Sequence, residues 1–222
     1  MRQDFIFDLE TIGANVFVCP VVDMAYSTFD WDRFLNDPYS FEELADTIQT
    51  VKLDIKDQMD NYNCSFLKAD VAWWESLPKE ARDKMKPSPN DLTVTEFCDT
   101  ILTYLKDAGK IKYWWSRGNT FDPIILSRHM MSTGNVDALN RALKFYTVRD
   151  VRTHIDAKFN YTTRSGFVPV ADEEYWKKSF IAHDSTHDVA ADILRLQTIH
   201  RAENTYTSCI ASLIESGIAV LF

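Results

Sequence analysis

Residues 4–10, DFIFDLE, alternate along an extended chain, with Phe5, Phe7 and Leu9 on one face and Ile6, Asp8 and Glu10 on the other. The pattern predicts a strand buried on its Phe/Leu side. Gly13 follows as a turn signal. VFVCPVVDMAYSTFD (16–30) continues in strand-like composition, with Pro20 marking an edge or a bulge. Residues 31–92 lose a clear period and read as a third strand plus a variable insertion, in which SLPKEARDKM is helical. TVTEFCDTILTYLKDAG (93–109) is an amphipathic helix that Thr93 or Thr95 can cap and Gly109 ends. KIKYWWSRG (110–118) reads as a buried strand. FDPIILSRHMMSTG (121–134) reads as a helix with Pro123 in its first turn, where the missing N–H is harmless. VRDVRTHIDAKF (148–159) is helical and YTTRSGFVP a loop. A last long helix begins within 182–192 and runs to about 202. An apolar tail follows from about 203, docked on the domain as helix or strand. Strands first, then alternating helix and strand, predict an α/β fold with a mixed central sheet flanked by helices.

At 222 residues the chain suits a single domain spanning 1–222. No apolar run is long enough to cross a bilayer, and Asp8 interrupts the first apolar stretch, against a signal peptide. Cys19, Cys64, Cys98 and Cys209 are scattered without metal spacing, as expected of free thiols in a reducing cytoplasm. The net charge of −9 argues against broad electrostatic binding to nucleic acid. It leaves open an enzyme that grips a strand end through bound cations, since carboxylates awaiting metal make a site acidic.

Asp8 and Glu10 repel each other on one strand face unless something positive sits between them; the alternative is a solvent-facing polar edge. Asp122, at a strand-to-helix turn inside an apolar run, is the second piece of a carboxylate constellation, or a simple helix cap. AHDSTHDVAAD (182–192) holds one spacing twice, His183 to Asp188 and His187 to Asp192. On a helix, Val189, Ile193 and Leu196 define the buried face, with Asp188 and Asp192 about 40° apart at its edge. His187 lies about 140° from Asp192, so that pair diverges once the helix has begun. His183 precedes the helix, which Asp184 or Ser185 can cap, and can fold back toward Asp188. The pattern therefore assigns the site to His183 and Asp188. A helix starting after His187 would move the assignment by four residues. Carboxylates from three distant segments suit hard divalent cations, and a two-metal site can clamp the attacking and leaving oxygens of a phosphodiester. A neutral histidine can take the proton of the attacking water.

Trp73 and Trp74 either stack under unpaired bases or pack as a pair anchoring the insertion. Trp114 and Trp115 read as core, with Arg117 or Asn119 able to reach a phosphate. Arg149 and Arg152 offer phosphate contacts or a helix surface paired with Asp150. His129, His154 and His200 have no acidic company at ligand spacing and read as structural.

FDLETIG, NTFDPIIL and HDSTHD, in that order, resemble the three motifs of the DnaQ-like 3′→5′ exonucleases of the DEDDh subgroup. LDIKDQ, VAWWESLPKEARDKM, VRDVRTHIDA and FIAHDSTHDVAADIL extend the resemblance, over most of the chain, to the exonuclease A type of T-even-type bacteriophages. The resemblance implies a ribonuclease H-like fold and a 3′→5′ exonuclease that degrades single-stranded DNA to nucleoside 5′-monophosphates in the host cytoplasm. It implies two divalent cations, Mg2+ or Mn2+, on Asp8, Glu10, Asp122 and Asp188, with His183 as general base. Thr11 and Ile12 would line the terminal nucleotide. A 3′→5′ exoribonuclease of the ribonuclease T or oligoribonuclease kind is the alternative on the same residues. A catalytically silent nucleic-acid- or protein-binding module is a third, opposed by the complete set of five.

Overall fold

The computed structural model describes residues 3–159, 166–168, 170 and 177–215, with side chains as far as Thr205. Five strands form one sheet in the order β3-β2-β1-β4-β5. β1 (Gln3–Thr11), β2 (Val21–Asp30) and β3 (Gln49–Lys52) pair antiparallel. β4 (Ile111–Ser116) lies parallel to β1, and β5 (Val148–Asp150) parallel to β4. The mixed sheet with flanking helices is the α/β arrangement the pattern predicts. Pro20, which can donate no ladder hydrogen bond, sits just before β2, where the register shifts between Glu10 and Thr11.

Between β2 and β3 lie α1 (Arg33–Asn36) and α2 (Phe41–Thr47). Then come α3 (Ile55–Asn61), α4 (Lys68–Glu75), α5 (Lys79–Asp83) and α6 (Val94–Ala108). β4 and β5 are joined through α7 (Asp122–Ser132) and α8 (Val136–Ala142); α9 (Val151–Lys158) and α10 (Ser185–Glu215) follow. Thr93 and Glu96 make a reciprocal capping box at the start of α6. Gly109 ends α6 with φ 78°.

Three elements differ from the sequence reading. β1 is buried on both faces, because it is the middle strand and helices cover both sides. Phe5, Phe7 and Leu9 pack with Trp114 and the apolar stripes of α6 and α7. On the opposite face Ile6 packs with Trp115, Val151 and Ile155 of α9, and Val189, Ile193 and Leu196 of α10. The segment 148–159 is a three-residue strand before a helix, with the Asp150 carboxylate accepting from the Thr153 N–H at 2.9 Å as the cap. α10 continues past 202 to Glu215. The loop 161–165 and the final residues 216–222 of the apolar tail lie outside the described residues.

The insertion closes on the sheet through its own small core. Ile12, Val22 and Trp74 are buried together, packed by Ile55, Phe66, Val71, Leu77 and Met85. No described helix is long and apolar enough to cross a membrane.

Candidate active site

Asp8 and Glu10 leave β1 on the face covered by α10, whose first turn carries Asp188. One carboxylate oxygen from each of Asp8, Glu10 and Asp188 lies within 4.8 Å of the others. Asp122, 3% exposed in the first turn of α7, is outside that trio, but its charge acts on Asp8. β4 ends at Ser116, so among the described residues the far part of β1 has no strand on that side, and the Leu9 N–H is met by the Asp122 carboxylate instead. Asp4, earlier on the same strand face, is held apart from the group. Its carboxylate accepts from the indoles of Trp31 at 2.7 Å and Trp115 at 2.9 Å.

Burial and mutual repulsion push all four carboxyls up. Asp8 is raised well above the usual range by burial, then by Asp122, Glu10 and Asp188. Burial, Asp188 and Asp23 push Glu10 up to about 9 against the lowering effect of Lys84. Asp122 rises to about 8 through burial and the charges of Asp192 and Asp150, although backbone N–H groups favour its charged form. Asp188 rises to about 7 through burial and Asp192, opposed by Arg195 and the His183 N–H. An all-oxygen set of buried carboxylates that resist ionising together is the donor chemistry a hard divalent cation fits.

The two histidines separate cleanly. Asp184 caps α10, its Oδ1 accepting from Thr186 N at 3.1 Å and His187 N at 3.3 Å. The helix has therefore begun before His187. His183 stands just ahead of the cap with φ 62°, and its backbone N–H reaches Asp188 Oδ2 at 3.2 Å. Its Nδ1 lies 3.8 Å from Glu10 Oε1. Burial lowers its pKa, which keeps the ring neutral at pH 7. His187 turns away: its Nδ1 accepts from the Ile181 N–H at 3.0 Å, and its ring packs on Phe41 and Phe180. Asp192 is held by Arg117, with contacts of 2.6–3.0 Å, and by Arg195 at 2.7 Å. Arg117 is thus committed to a carboxylate 75 residues away, not placed for a phosphate.

A cleft of about 340 Å³ opens beside Glu10, lined by Leu9, Thr11, Gly13, Ala14, Asp70, Trp73 and Phe121. Trp73 is 44% exposed and meets the His183 ring edge-on at 5.0 Å. Trp74 is fully buried and donates its indole N–H to the Thr11 carbonyl at 2.9 Å, so it anchors the insertion and does not reach the cleft. Thr11 lies on the cleft wall, its hydroxyl donating to the Gly13 carbonyl. Ile12 is buried with Val22 and Trp74 and is not on that wall. Asn119 is exposed in the β4–α7 turn, its N–H on Asp150 Oδ2 at 3.0 Å. Gly13 has φ 98°, a backbone conformation that side-chain-bearing residues rarely adopt, and a Cβ there would also press on the Asp70 carboxylate at 2.8 Å, so the turn after β1 favours glycine. Arg149 donates to the carbonyls of Tyr146 and Val148 and covers the Tyr113 ring. Asp150 serves as a cap, not as an ion-pair partner for that helix surface.

One group was invisible to sequence patterning. Lys84, at the end of α5, inserts its ammonium between Asp23 Oδ2 and Asp184 Oδ2, 3.1 Å from each. Asp23 is the cross-strand partner of Glu10. KEARDKMK reads as a solvated helical surface, and nothing in its spacing announces a half-buried lysine.

A mixed sheet of this order, with carboxylates gathered where its first strand meets the starts of two helices, is the ribonuclease H-like exonuclease fold. The chain belongs to the family described as the 3′-5′ exoribonuclease Rv2179c-like domain, whose model matches residues 3–192. It is 30% identical over 210 residues to the exodeoxyribonuclease of Enterobacteria phage T4, the match covering 87% of each chain. Among solved structures it resembles E. coli exonuclease I in complex with a dA13 oligonucleotide, with TM-score 0.57 and 15% identity over 89% of this chain. It also resembles the zinc-bound E. coli exonuclease I–ssDNA complex, with TM-score 0.55 and 13% identity over 97% of this chain. The chain spans 40% and 43% of those two proteins, and the likeness shows the fold they share.

Proposed function

We propose that this exonuclease removes nucleoside 5′-monophosphates from the 3′ ends of single-stranded DNA, with two divalent cations, Mg2+ or Mn2+, as cofactors. The observation that carries the reading is the juxtaposition of Asp8, Glu10 and Asp188 oxygens within 4.8 Å, with His183 Nδ1 3.8 Å from Glu10. Asp8, Glu10, Asp122 and Asp188 would hold the cations. Bound there, the cations supply positive charge to the phosphodiester and its leaving oxygen and acidify the attacking water. His183, neutral at pH 7 and at the open edge of the group, accepts that water's proton at an imidazole nitrogen. Trp73 offers an exposed indole on the cleft wall for the terminal base, and Thr11 lies beside it. Asp192 holds Arg117 and Arg195 in place behind Asp188, where their positive charge opposes the repulsion within the group.

The choice of DNA follows the phage T4 relative, an exodeoxyribonuclease similar over nearly the whole chain. That relative also supports a phage product working in the host cytoplasm. The family description favours RNA as the second reading. Hydrolysis of DNA and RNA oligomers of one sequence, side by side with Mg2+ and with Mn2+, separates them. Faster turnover of DNA is expected; equal or faster turnover of RNA overturns the choice.

A further inference from the structure

We infer that Lys84 is a positioning residue for His183: it ties the strand pair that carries Glu10 to the residue next to the histidine. The inference rests on the role proposed for His183. The lysine belongs to the insertion, and its side chain is only 21% exposed between carboxylates that are 3% and 18% exposed. Its backbone is fixed on one side by the α5 turn, where its N–H meets the Ala81 carbonyl. On the other side Met85 packs against the small core of Ile12, Val22 and Trp74. Asp23, its first partner, faces Glu10 across the β1–β2 ladder. Asp184, its second partner, follows His183 directly and caps α10.

The histidine itself has few restraints. It is in the left-handed backbone region, its side chain is 46% exposed, and it touches Glu10 only at 3.8 Å. Among the described residues its remaining ties are its N–H to Asp188 and the edge of Trp73. The Lys84–Asp184 pair therefore sets how closely the turn carrying His183 lies against β1 and β2. Partial burial of the pair, at 21% and 18% exposure, reduces the screening that makes surface ion pairs weak. A misplacement of about 1 Å at a reacting group can lower turnover about 100-fold. The insertion thereby contributes twice to one histidine, through the indole of Trp73 and through the ammonium of Lys84.

The test uses the whole chain with Lys84→Met, Lys84→Arg and Asp184→Asn. Asparagine caps a helix as well as aspartate, so Asp184→Asn removes the ion pair and keeps the start of α10. Lys84→Met and Asp184→Asn are expected to lower kcat about 10- to 100-fold with KM within about twofold. Lys84→Arg is expected to restore part of the loss. On a His183→Ala background Lys84→Met is expected to have no further effect. A readout independent of activity is the NMR signal of the His183 ring proton, identified by its loss in His183→Ala. Trp73 displaces that signal by its ring current, and Lys84→Met and Asp184→Asn should both move it toward the position of an exposed histidine. Unchanged kcat with an unmoved signal overturns the inference. So does a Lys84→Met loss that persists undiminished on the His183→Ala background, which would place the lysine's effect on the fold or the carboxylates. If the wild-type protein hydrolyses neither DNA nor RNA, the proposed function fails, and the NMR signal alone still decides whether Lys84 positions His183.

Discussion

Replacing Asp188 and Asp192 one at a time by Asn should move the stability of the metal-free protein in opposite directions. The two residues are one helical turn apart, yet their surroundings differ. Asp192 accepts from Arg117 and Arg195, whose side chains are 13% and 12% exposed. Neutralising it takes the nearest carboxylate from two mostly buried guanidinium groups, while Asp188 and Asp8 still face Arg117 and the repulsion from Asp192 on the other carboxyls is relieved, so the net cost is about 1–3 kcal/mol. At about 2–4 °C per kcal/mol for a chain of this size, Tm should fall by roughly 2–12 °C. Asp188 is pushed from an ordinary 3.8 up to about 7 by burial and Asp192. That displacement corresponds to about 4 kcal/mol of unfavourable charge at pH 8, an upper bound on what neutralisation can relieve. An Asn there can still accept from the His183 N–H, so Asp188→Asn should gain on the order of 2 kcal/mol and raise Tm by several degrees. Thermal melts at pH 8 in EDTA measure both, and repeating them with Mn2+ adds the second half of the test. A ligand that binds only the folded site at 100 times its Kd stabilises by about 2.7 kcal/mol. Asp188→Asn should lose that gain; Asp192→Asn should keep a smaller one. Equal destabilisation by both variants, or a metal response lost only in Asp192→Asn, would refute the reasoning and move the site to the His187–Asp192 spacing.

Two further outcomes follow from the same geometry. Glu10, Asp122 and Asp188 have folded pKa values of about 9, 8 and 7, all above their ordinary values, so the folded metal-free protein holds protons the unfolded chain has released. Their contribution is fully present below about pH 4, falls as pH rises from there and is exhausted by about pH 9, so Tm in EDTA should fall between about pH 5 and 9 while the gain on adding Mg2+ grows; a metal-free Tm that rises over that range would contradict the shifts. The two neighbouring tryptophans should behave oppositely. Trp73→Ala should raise KM for single-stranded substrate roughly five- to a hundredfold with little change in Tm. Trp74→Ala, at a fully buried side chain, should destabilise by about 3–5 kcal/mol. Steady-state kinetics and melts on the pair check both halves.

The carboxylates were legible because each sits where local pattern and chemistry disagree: two acids on one strand face, one inside an apolar helix start, one at the edge of an apolar stripe. The helical wheel separated His187 from Asp192 for the same reason, since the 3.6-residue period allows no other arrangement once Asp184 caps α10. What the pattern missed depends on contacts distant in sequence. β1 reads as half-buried because Asp8 and Glu10 lie on one face, and only the position of α10 shows that this face is covered too. Arg117 reads as a free cation until Asp192 is brought to it. Lys84 and Asp23 are ordinary charged residues until the insertion packs on Val22 and Ile12. β5 is three residues long and lies directly against a helix, which leaves no period to detect.

The most direct test of the account follows a 5′-labelled single-stranded DNA oligomer with Mg2+, using the wild-type protein, His183→Ala and His187→Ala, with EDTA as control. The account predicts a ladder that shortens from the 3′ end, is abolished by EDTA, slows about 100- to 10,000-fold in His183→Ala and persists in His187→Ala. A ladder kept by His183→Ala and lost by His187→Ala, or no shortening of either DNA or RNA, would contradict it.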